Sequence, residues 1–358
     1  MKIIISGGGT AGHTHPALAI GEKVAEREGK ENVLFVLRSG GRENVIIEKR
    51  GFNIEYIDVA GLKRSLSFKN IATLTKALRA KERCKRLISD FKPDAVLGTG
   101  GYVCWPLISA AVELKVKSAL HESNAVPGLA TRLLAPRCDL VMTNFKSSEK
   151  YFPKVKTKNT GNPLLSEFGL KSRESARASL GIPREDIFVL SVGGSLGARR
   201  LNEVVSGVMD KLSDKYKQLT FIHSTGEANR DQIKTFKTKR LKMVPYIENM
   251  AAHLAACDIV ISRCGAITLS EIALTARAAI LVPSPNVTGN HQYKNAKELY
   301  DANAALMIEE KELDEVRLQN EIERLISDKK LSKRLSIGIS SYSRPDAAAL
   351  IYESLKAL

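Results

Sequence analysis

Two doubly wound, Rossmann-like α/β lobes are the architecture this sequence predicts, and three observations predict it. Short β-rich runs alternate with helical patterns along the whole chain, which is the signature of βαβ units. Glycine-rich turns follow strands and open helices in both halves. The 358 residues also exceed what one hydrophobic core usually holds, so two α/β domains are expected.

The strand series opens with Ile3-Ile4-Ile5, then Val33 to Leu37, Ile54 to Val59, Ala95 to Leu97, Ser118 to Leu120 and Leu140 to Met142. A second series begins after the turn Thr160-Gly161-Asn162-Pro163: Ile187 to Val192, Leu219 to Ile222, Ile259 to Ile261 and Ala279 to Val282. The expected division is therefore a first lobe over 1–162 and a second over 163–342. A terminal helix is expected over 343–358, where Leu350, Ile351 and Leu355 recur at helical spacing after Pro345. Periodicity does not say which lobe that helix joins; packing back on the first lobe is the expectation.

Composition narrows the class. Apolar residues make up 44% and charged residues 26%, an ordinary globular balance. The five cysteines, Cys84, Cys104, Cys138, Cys257 and Cys264, show no C-x-x-C spacing, which argues against a disulfide framework or a zinc site and for a reducing compartment. Three Ile before Ser6 are too short an apolar core for a secretory signal. The longest charge-free stretch, Ala95 to Val112, is interrupted by Gly98, Gly100, Gly101 and Pro106, and so reads as strand, turn and helix rather than a membrane span.

The net charge of +16 is concentrated early: residues 1–160 hold 27 Lys/Arg against 15 Asp/Glu. Within 61–92 stand ten cations, Lys63, Arg64, Lys69, Lys76, Arg79, Lys81, Arg83, Lys85, Arg86 and Lys92, against only Glu82 and Asp90. Such a segment seeks anions, whether nucleic acid, lipid headgroups or a phosphorylated substrate, unless it is simply a solvated helix face.

Three turns have the composition of phosphate cradles. Ser6-Gly7-Gly8-Gly9-Thr10-Ala11-Gly12-His13 follows the first strand and leads to a helix expected to begin near Pro16. Glycine there admits close backbone approach, and a helix N-terminus offers free N–H groups. The string satisfies G-x-G-x-x-G, but the second strand ends in Arg38-Ser39 rather than in the acid that holds an NAD ribose, leaving at best an NADP-like site. Gly98-Thr99-Gly100-Gly101-Tyr102 is the second turn, ahead of a helix near Pro106, and Gly193-Gly194-Ser195-Leu196-Gly197-Ala198 is the third. A phosphate-type turn in each lobe implies a shared cleft. The third also matches the G-x-S-x-G elbow of serine hydrolases, for which His223, His253 or His291 would have to complete a triad. A fourth unit, Ile259 to Glu271, places Glu271 one and a half turns into a helix, where a carboxylate can accept two ribose hydroxyls while the helix amides face phosphate.

Taken together, Gly8 to His13, His121-Glu122-Ser123-Asn124, Gly161-Asn162-Pro163, Gly193 to Ala198, Ser262 to Glu271, and His291-Gln292 with Asn295-Ala296 resemble the MurG family of bacterial glycosyltransferases. The resemblance runs in order over nearly the whole chain. It implies the two-lobed GT-B fold, UDP-N-acetylglucosamine as donor, lipid I as acceptor, and inversion to a β-1,4 link in lipid II at the cytoplasmic face of the membrane, with no nucleic acid among the partners. By matched position it implies donor contacts from Thr10, Ala11, Gly12 and Asn124 in the first lobe. From the second it implies Ser195, Ile247, Ala266, Ile267, Thr268, Leu269, Ser270, Glu271 and Gln292, with Glu271 on the ribose. Three departures stand out: Pro163-Leu164-Leu165 lacks the Arg common after this turn, Ala11 replaces a frequent Gly, and His291 a frequent Gln.

Inverting transfer needs a base near the acceptor hydroxyl, and His13 is the candidate placed best, with His15 and Glu122 as alternatives and a phosphate-donor role as the competing reading of the ring. No D-x-D pair or ligand-spaced His/Asp cluster is present, so neither a metal nor another cofactor is expected, and helix N-termini are expected to neutralise the departing diphosphate. The 61–92 segment, with Ile71, Leu74, Leu78, Leu87 and Ile88 among its cations, fits peripheral contact with an anionic membrane surface. The competing classes are an NADP-dependent oxidoreductase, a serine hydrolase and a non-catalytic anion-binding protein.

Overall fold

The computed structural model describes residues 1–61, 69–168, 171–194 and 197–358. They form two compact units, Met1–Leu165 with Arg344–Leu358, and Ser166–Ser343.

In the first unit the chain runs β1 (Ile3–Ser6), α1 (Ala11–Glu28), β2 (Val33–Arg38), α2 (Val45–Glu48), β3 (Asn53–Ile57), α3 (Lys69–Phe91), β4 (Ala95–Gly98), α4 (Cys104–Glu113), β5 (Lys117–Glu122), α5 (Leu129–Leu134), β6 (Leu140–Thr143) and β7 (Thr157–Asn159). The strands form one seven-stranded sheet in the order β3-β2-β1-β4-β5-β6-β7, with every pair parallel. Helices on both faces explain why the central strand reads Ile-Ile-Ile without alternation: Ile3, Ile4 and Ile5 are all fully buried.

The second unit continues α6 (Arg173–Leu180), β8 (Ile187–Val192), α7 (Arg199–Lys215), β9 (Leu219–Ser224), β10 (Leu241–Val244), α8 (Met250–Ala256), β11 (Ile259–Ser262), α9 (Ala266–Thr275), β12 (Ala278–Leu281), α10 (His291–Asp301), β13 (Leu306–Met307), α11 (Glu315–Ser327) and α12 (Lys329–Ser340). Its sheet is again parallel, in the order β10-β9-β8-β11-β12-β13. The last helix, α13 (Ala347–Lys356), returns to the first unit and packs on α1. There the N-terminal ammonium group pairs with Glu28 at 2.8 Å, and the Tyr352 hydroxyl donates to the same carboxylate. At Gly161, whose φ is +76°, a Cβ would run into the Arg344 side chain, so glycine is required where the outgoing and returning segments of this unit meet.

Two expectations are corrected. Helix α1 starts at Ala11, not near Pro16, which lies inside it and forgoes only the bond to the Gly12 carbonyl near the helix start. On α3, Leu87 and Ile88 turn towards the core, leaving only Ile71, Leu74 and Leu78 exposed.

Candidate active site

The strand order has one consequence that controls everything else. In each sheet the winding direction reverses at a topological switch point, between β1 and β4 in the first and between β8 and β11 in the second. Open α/β sheets bind ligands at the carboxyl ends of the strands that flank such a point. All four glycine-containing turns follow those four strands.

In the first unit the two turns are packed together. A Cβ on Gly100 would lie 2.5 Å from His13 Nδ1, and one on Gly101 would strike the Gly8 carbonyl. The Thr99 hydroxyl donates to the His13 carbonyl at 2.8 Å, while the Thr99 carbonyl lies 3.2 Å from His13 Nδ1. A carbonyl can only accept, so Nδ1 carries the proton and Nε2 of the neutral ring keeps its lone pair. The ring is half-buried at the third position of α1. Thr10, Ala11 and Gly12 occupy the start of the same helix, where Thr10 makes no side-chain cap and the first turn holds no acid.

Glu122, an alternative base in the sequence reading, is committed to structure. It is buried and accepts from the Asn124 N–H and Nδ2 at 3.0 Å each and from the Gly128 N–H at 3.1 Å. It therefore shapes the loop that presents Asn124. His121 is fully buried, its Nε2 lies 3.0 Å from the Gly161 carbonyl, and burial holds its pKa below the ordinary histidine value.

In the second unit Ser195 lies outside the described residues; Gly194 and Gly197 on either side of the undescribed pair are both at positive φ. Helix α9 follows Gly265 and has no acid in its first turn. Ala266, Ile267, Leu269 and Ser270 are buried and Thr268 is partly exposed. The Ser270 hydroxyl donates back to the Ala266 carbonyl at 3.0 Å. Glu271 is 8% exposed, and burial, reinforced by the nearby Glu167 carboxylate, pushes its carboxyl up to about 7. Gln292 places Oε1 on the Cys264 N–H at 3.1 Å and on the Ser284 N–H at 2.9 Å, bracing the segment that leads into α9. Asn295 adds a bond to the Cys264 carbonyl at 3.2 Å. Ile247 is buried in the same unit.

The histidines invoked for a serine hydrolase are occupied otherwise. His223 is buried between the Ser191 hydroxyl (2.9 Å) and Asn202 Oδ1 (3.0 Å), and burial lowers its pKa to about 3. His253 and His291 turn Nδ1 to the Asn249 and Thr288 carbonyls. Among the described residues, no three His, Cys, Asp or Glu side chains are grouped to hold a metal ion.

The basic segment is less bare than its sequence. Lys63 and Arg64 lie outside the described residues. Lys76 pairs with Asp58 and Arg83 with Glu55, at 2.8 and 2.7 Å, and Lys81 and Lys85 both meet Glu113. Those three carboxylates come from outside the 61–92 window. The segment also exposes Arg79, Arg86 and Lys92, and an apolar stripe, Ile71, Leu74 and Leu78 at i, i+3 and i+7, 64%, 52% and 50% exposed. Sequence reasoning missed two groups that the fold brings to the first turn, the Thr99 carbonyl and the Glu43 carboxylate, which accepts from the Gly9 N–H at 2.8 Å. Neither carries a local signal, since the partners are 86 and 34 residues apart.

Two parallel sheets, each with glycine turns at its switch point, suit a nucleotide ligand, and family models give the class: the glycosyltransferase family 28 N-terminal domain matches residues 3–143 and its C-terminal domain residues 187–350. A Caldanaerobacter subterraneus relative, 39% identical over 100% of both chains, is a UDP-N-acetylglucosamine--N-acetylmuramyl-(pentapeptide) pyrophosphoryl-undecaprenol N-acetylglucosamine transferase. A Bacillus licheniformis relative of the same name is 37% identical over 100% of this chain and 99% of its own. The chain belongs to this family of glycosyltransferases. The crystal structure of Acinetobacter baumannii MurG matches 99% of both chains with a TM-score of 0.78 at 26% identity. A Neisseria meningitidis UDP-GlcNAc 2-epimerase shares the fold at a TM-score of 0.71 and 14% identity, over 100% of both chains.

Proposed function

We propose that this chain transfers N-acetylglucosamine from UDP-N-acetylglucosamine to lipid I, making the β-1,4 link of lipid II by a single inverting displacement in peptidoglycan synthesis. The observation that carries the reading is the placing of anion-type turns at both switch points, in a chain whose full-length relatives bear that transferase name.

Each residue then has a role. The donor lies along the second unit's strand ends: α9's N-terminal amides and the turn around Ser195 neutralise the diphosphate, Glu271 accepts the ribose hydroxyls, and Ile247 and the 266–270 segment line the nucleotide. Gln292 holds the approach to α9 through the two backbone bonds described above. The first unit serves the acceptor and the membrane, with Thr10, Ala11, Gly12 and Asn124 reaching the donor. His13 Nε2 takes the proton of the acceptor hydroxyl as it attacks the anomeric carbon, and the Thr99 carbonyl supports this by fixing the tautomer that leaves Nε2 basic. No described helix is long and apolar enough to cross a membrane. The exposed stripe Ile71, Leu74 and Leu78, with the exposed Arg79 and Arg86 on the same helix, supports peripheral contact with the anionic cytoplasmic face of the bacterial membrane.

Thermal shift with UDP, UDP-N-acetylglucosamine, NADP and ATP tests the reading, because a ligand that binds only the folded chain stabilises it by mass action. The two uridine ligands should raise Tm and NADP should not. A response to NADP without one to UDP would overturn the assignment.

A further inference from the structure

Helix α1 begins without an anionic cap of its own: Thr10 makes no capping hydrogen bond, and the first turn has no acidic residue. Free N–H groups and positive potential are therefore presented at its start. An anion from elsewhere in the chain binds the turn just ahead of that start. Glu43, on the short 3-10 turn Arg42–Asn44 beyond β2, accepts a hydrogen bond from the Gly9 N–H at 2.8 Å through Oε1.

The same oxygen lies 3.8 Å from Arg38 Nε, and that nitrogen is buried with no hydrogen-bond partner. A buried guanidinium N–H left unbonded is costly. Two donors thus compete for one carboxylate, and the backbone amide of the turn holds it. Moving Glu43 by about 1 Å towards Arg38 would form a charge-assisted bond of ordinary length and vacate the Gly9 amide. The bond to the Gly9 amide would be lost and one to Arg38 gained, so only part of the cost of displacing the carboxylate is recovered.

We propose that Glu43 is a displaceable internal anion, occupying the first glycine turn until a diphosphate replaces it and withdrawing to Arg38 when that happens. The proposal rests on the reading of this turn as a diphosphate cradle. It makes Glu43 a specificity-determining residue. A multiply charged diphosphate outcompetes one carboxylate for amides and helix dipole, whereas a singly charged anion gains no advantage over the group already there. Donor and lipid acceptor both carry a diphosphate, and the experiment separates them.

Isothermal titration of the full chain with inorganic pyrophosphate, with and without saturating UDP, tests this on the parent, Glu43→Ala and Glu43→Gln. Glu31→Gln, a carboxylate change beyond the far end of α1, is the control for general charge. Both Glu43 variants should bind pyrophosphate about tenfold more tightly than the parent, the factor expected when one charged hydrogen bond no longer has to be displaced, and the control should change by less than twofold. A gain abolished by UDP assigns the turn to the donor's diphosphate, and a gain that persists assigns it to the acceptor's. Equal or weaker binding by the Glu43 variants, or an equal gain in the control, would overturn the proposal while leaving the turn as a cradle. Absence of pyrophosphate binding in all four proteins would overturn the cradle reading and the proposal with it.

Discussion

Replacing Glu271 by Gln should make the ligand-free protein more stable and a poorer binder of UDP, with the first effect depending on pH. Burial and Glu167 raise this carboxyl from 4.5 to about 7 in the folded state. A group whose folded pKa is raised contributes most stability below the unfolded value, about 4.5, and loses it as pH rises through about 7. At roughly 1.4 kcal/mol per pKa unit, ionising Glu271 in place costs the fold about 3 kcal/mol at alkaline pH. Gln resembles the protonated acid and carries no such cost, so the intrinsic penalty of an amide at this site cancels between two pH values. The Tm advantage of the variant over the parent should therefore grow between pH 5 and pH 8.5 by an amount equivalent to about 2–3 kcal/mol, on the order of 5 °C for a unit of this size. UDP affinity should fall about thirtyfold, since an amide oxygen replaces a carboxylate towards the ribose. Calorimetry at the two pH values and titration with UDP measure both. A Tm difference that does not change with pH would refute the buried-carboxylate argument, and an unchanged UDP affinity would refute the ribose assignment.

Other perturbations follow from the same geometry. In the parent, UDP affinity should decline as pH falls below about 7, because ribose bonds favour the ionised form of a carboxyl that is half protonated there without ligand; a flat profile between pH 5.5 and 8 would count against it. His13→Ala should lower kcat by roughly 10² to 10⁴ with little change in donor affinity and should remove the acidic limb of the kcat profile, whereas a loss confined to UDP binding would reassign the ring to phosphate contact. Gly100→Ala must displace the His13 ring, given the 2.5 Å approach of its Cβ to Nδ1, and steady-state kinetics should show a kcat loss of about tenfold or more at unchanged donor KM; unchanged kcat would mean that the ring's position does not matter. Replacing Ile71, Leu74 and Leu78 by Ser should release the protein from anionic vesicles in a flotation assay without altering UDP binding, and undiminished flotation would exclude the stripe.

What the sequence made legible, and what it hid, follows from physical range. Strands β1, β2, β8 and β11 were readable because central parallel strands are apolar on both faces, as Ile3-Ile4-Ile5 and Ile259 to Ile261 show. Strands β7, β10 and β13 were not: Thr157–Asn159 is polar, Leu241–Val244 is short and alternating in burial, and Leu306–Met307 has two residues. The glycine turns announced themselves through local composition, and so did the helix start that carries Glu271. Charge counted in a window overstates how bare the basic segment is, because it omits carboxylates that the fold imports, here Glu55, Asp58 and Glu113. Periodicity on α3 likewise could not separate core-facing Leu87 and Ile88 from exposed Leu74 and Leu78 without knowing where α4 packs. The Thr99 carbonyl at His13 and the Glu43 carboxylate at Gly9 depend on strand order, which no local pattern encodes.

The central claim is a transfer reaction, and the direct measurement is incubation of the purified chain with UDP-N-acetylglucosamine and a soluble lipid I analogue, followed by NMR of the product. The expected products are one UDP per sugar transferred and a 1,4-linked disaccharide with a β-configured anomeric proton. Release of free N-acetylglucosamine without a disaccharide, epimerisation of the donor, or an α-linked product would contradict that claim.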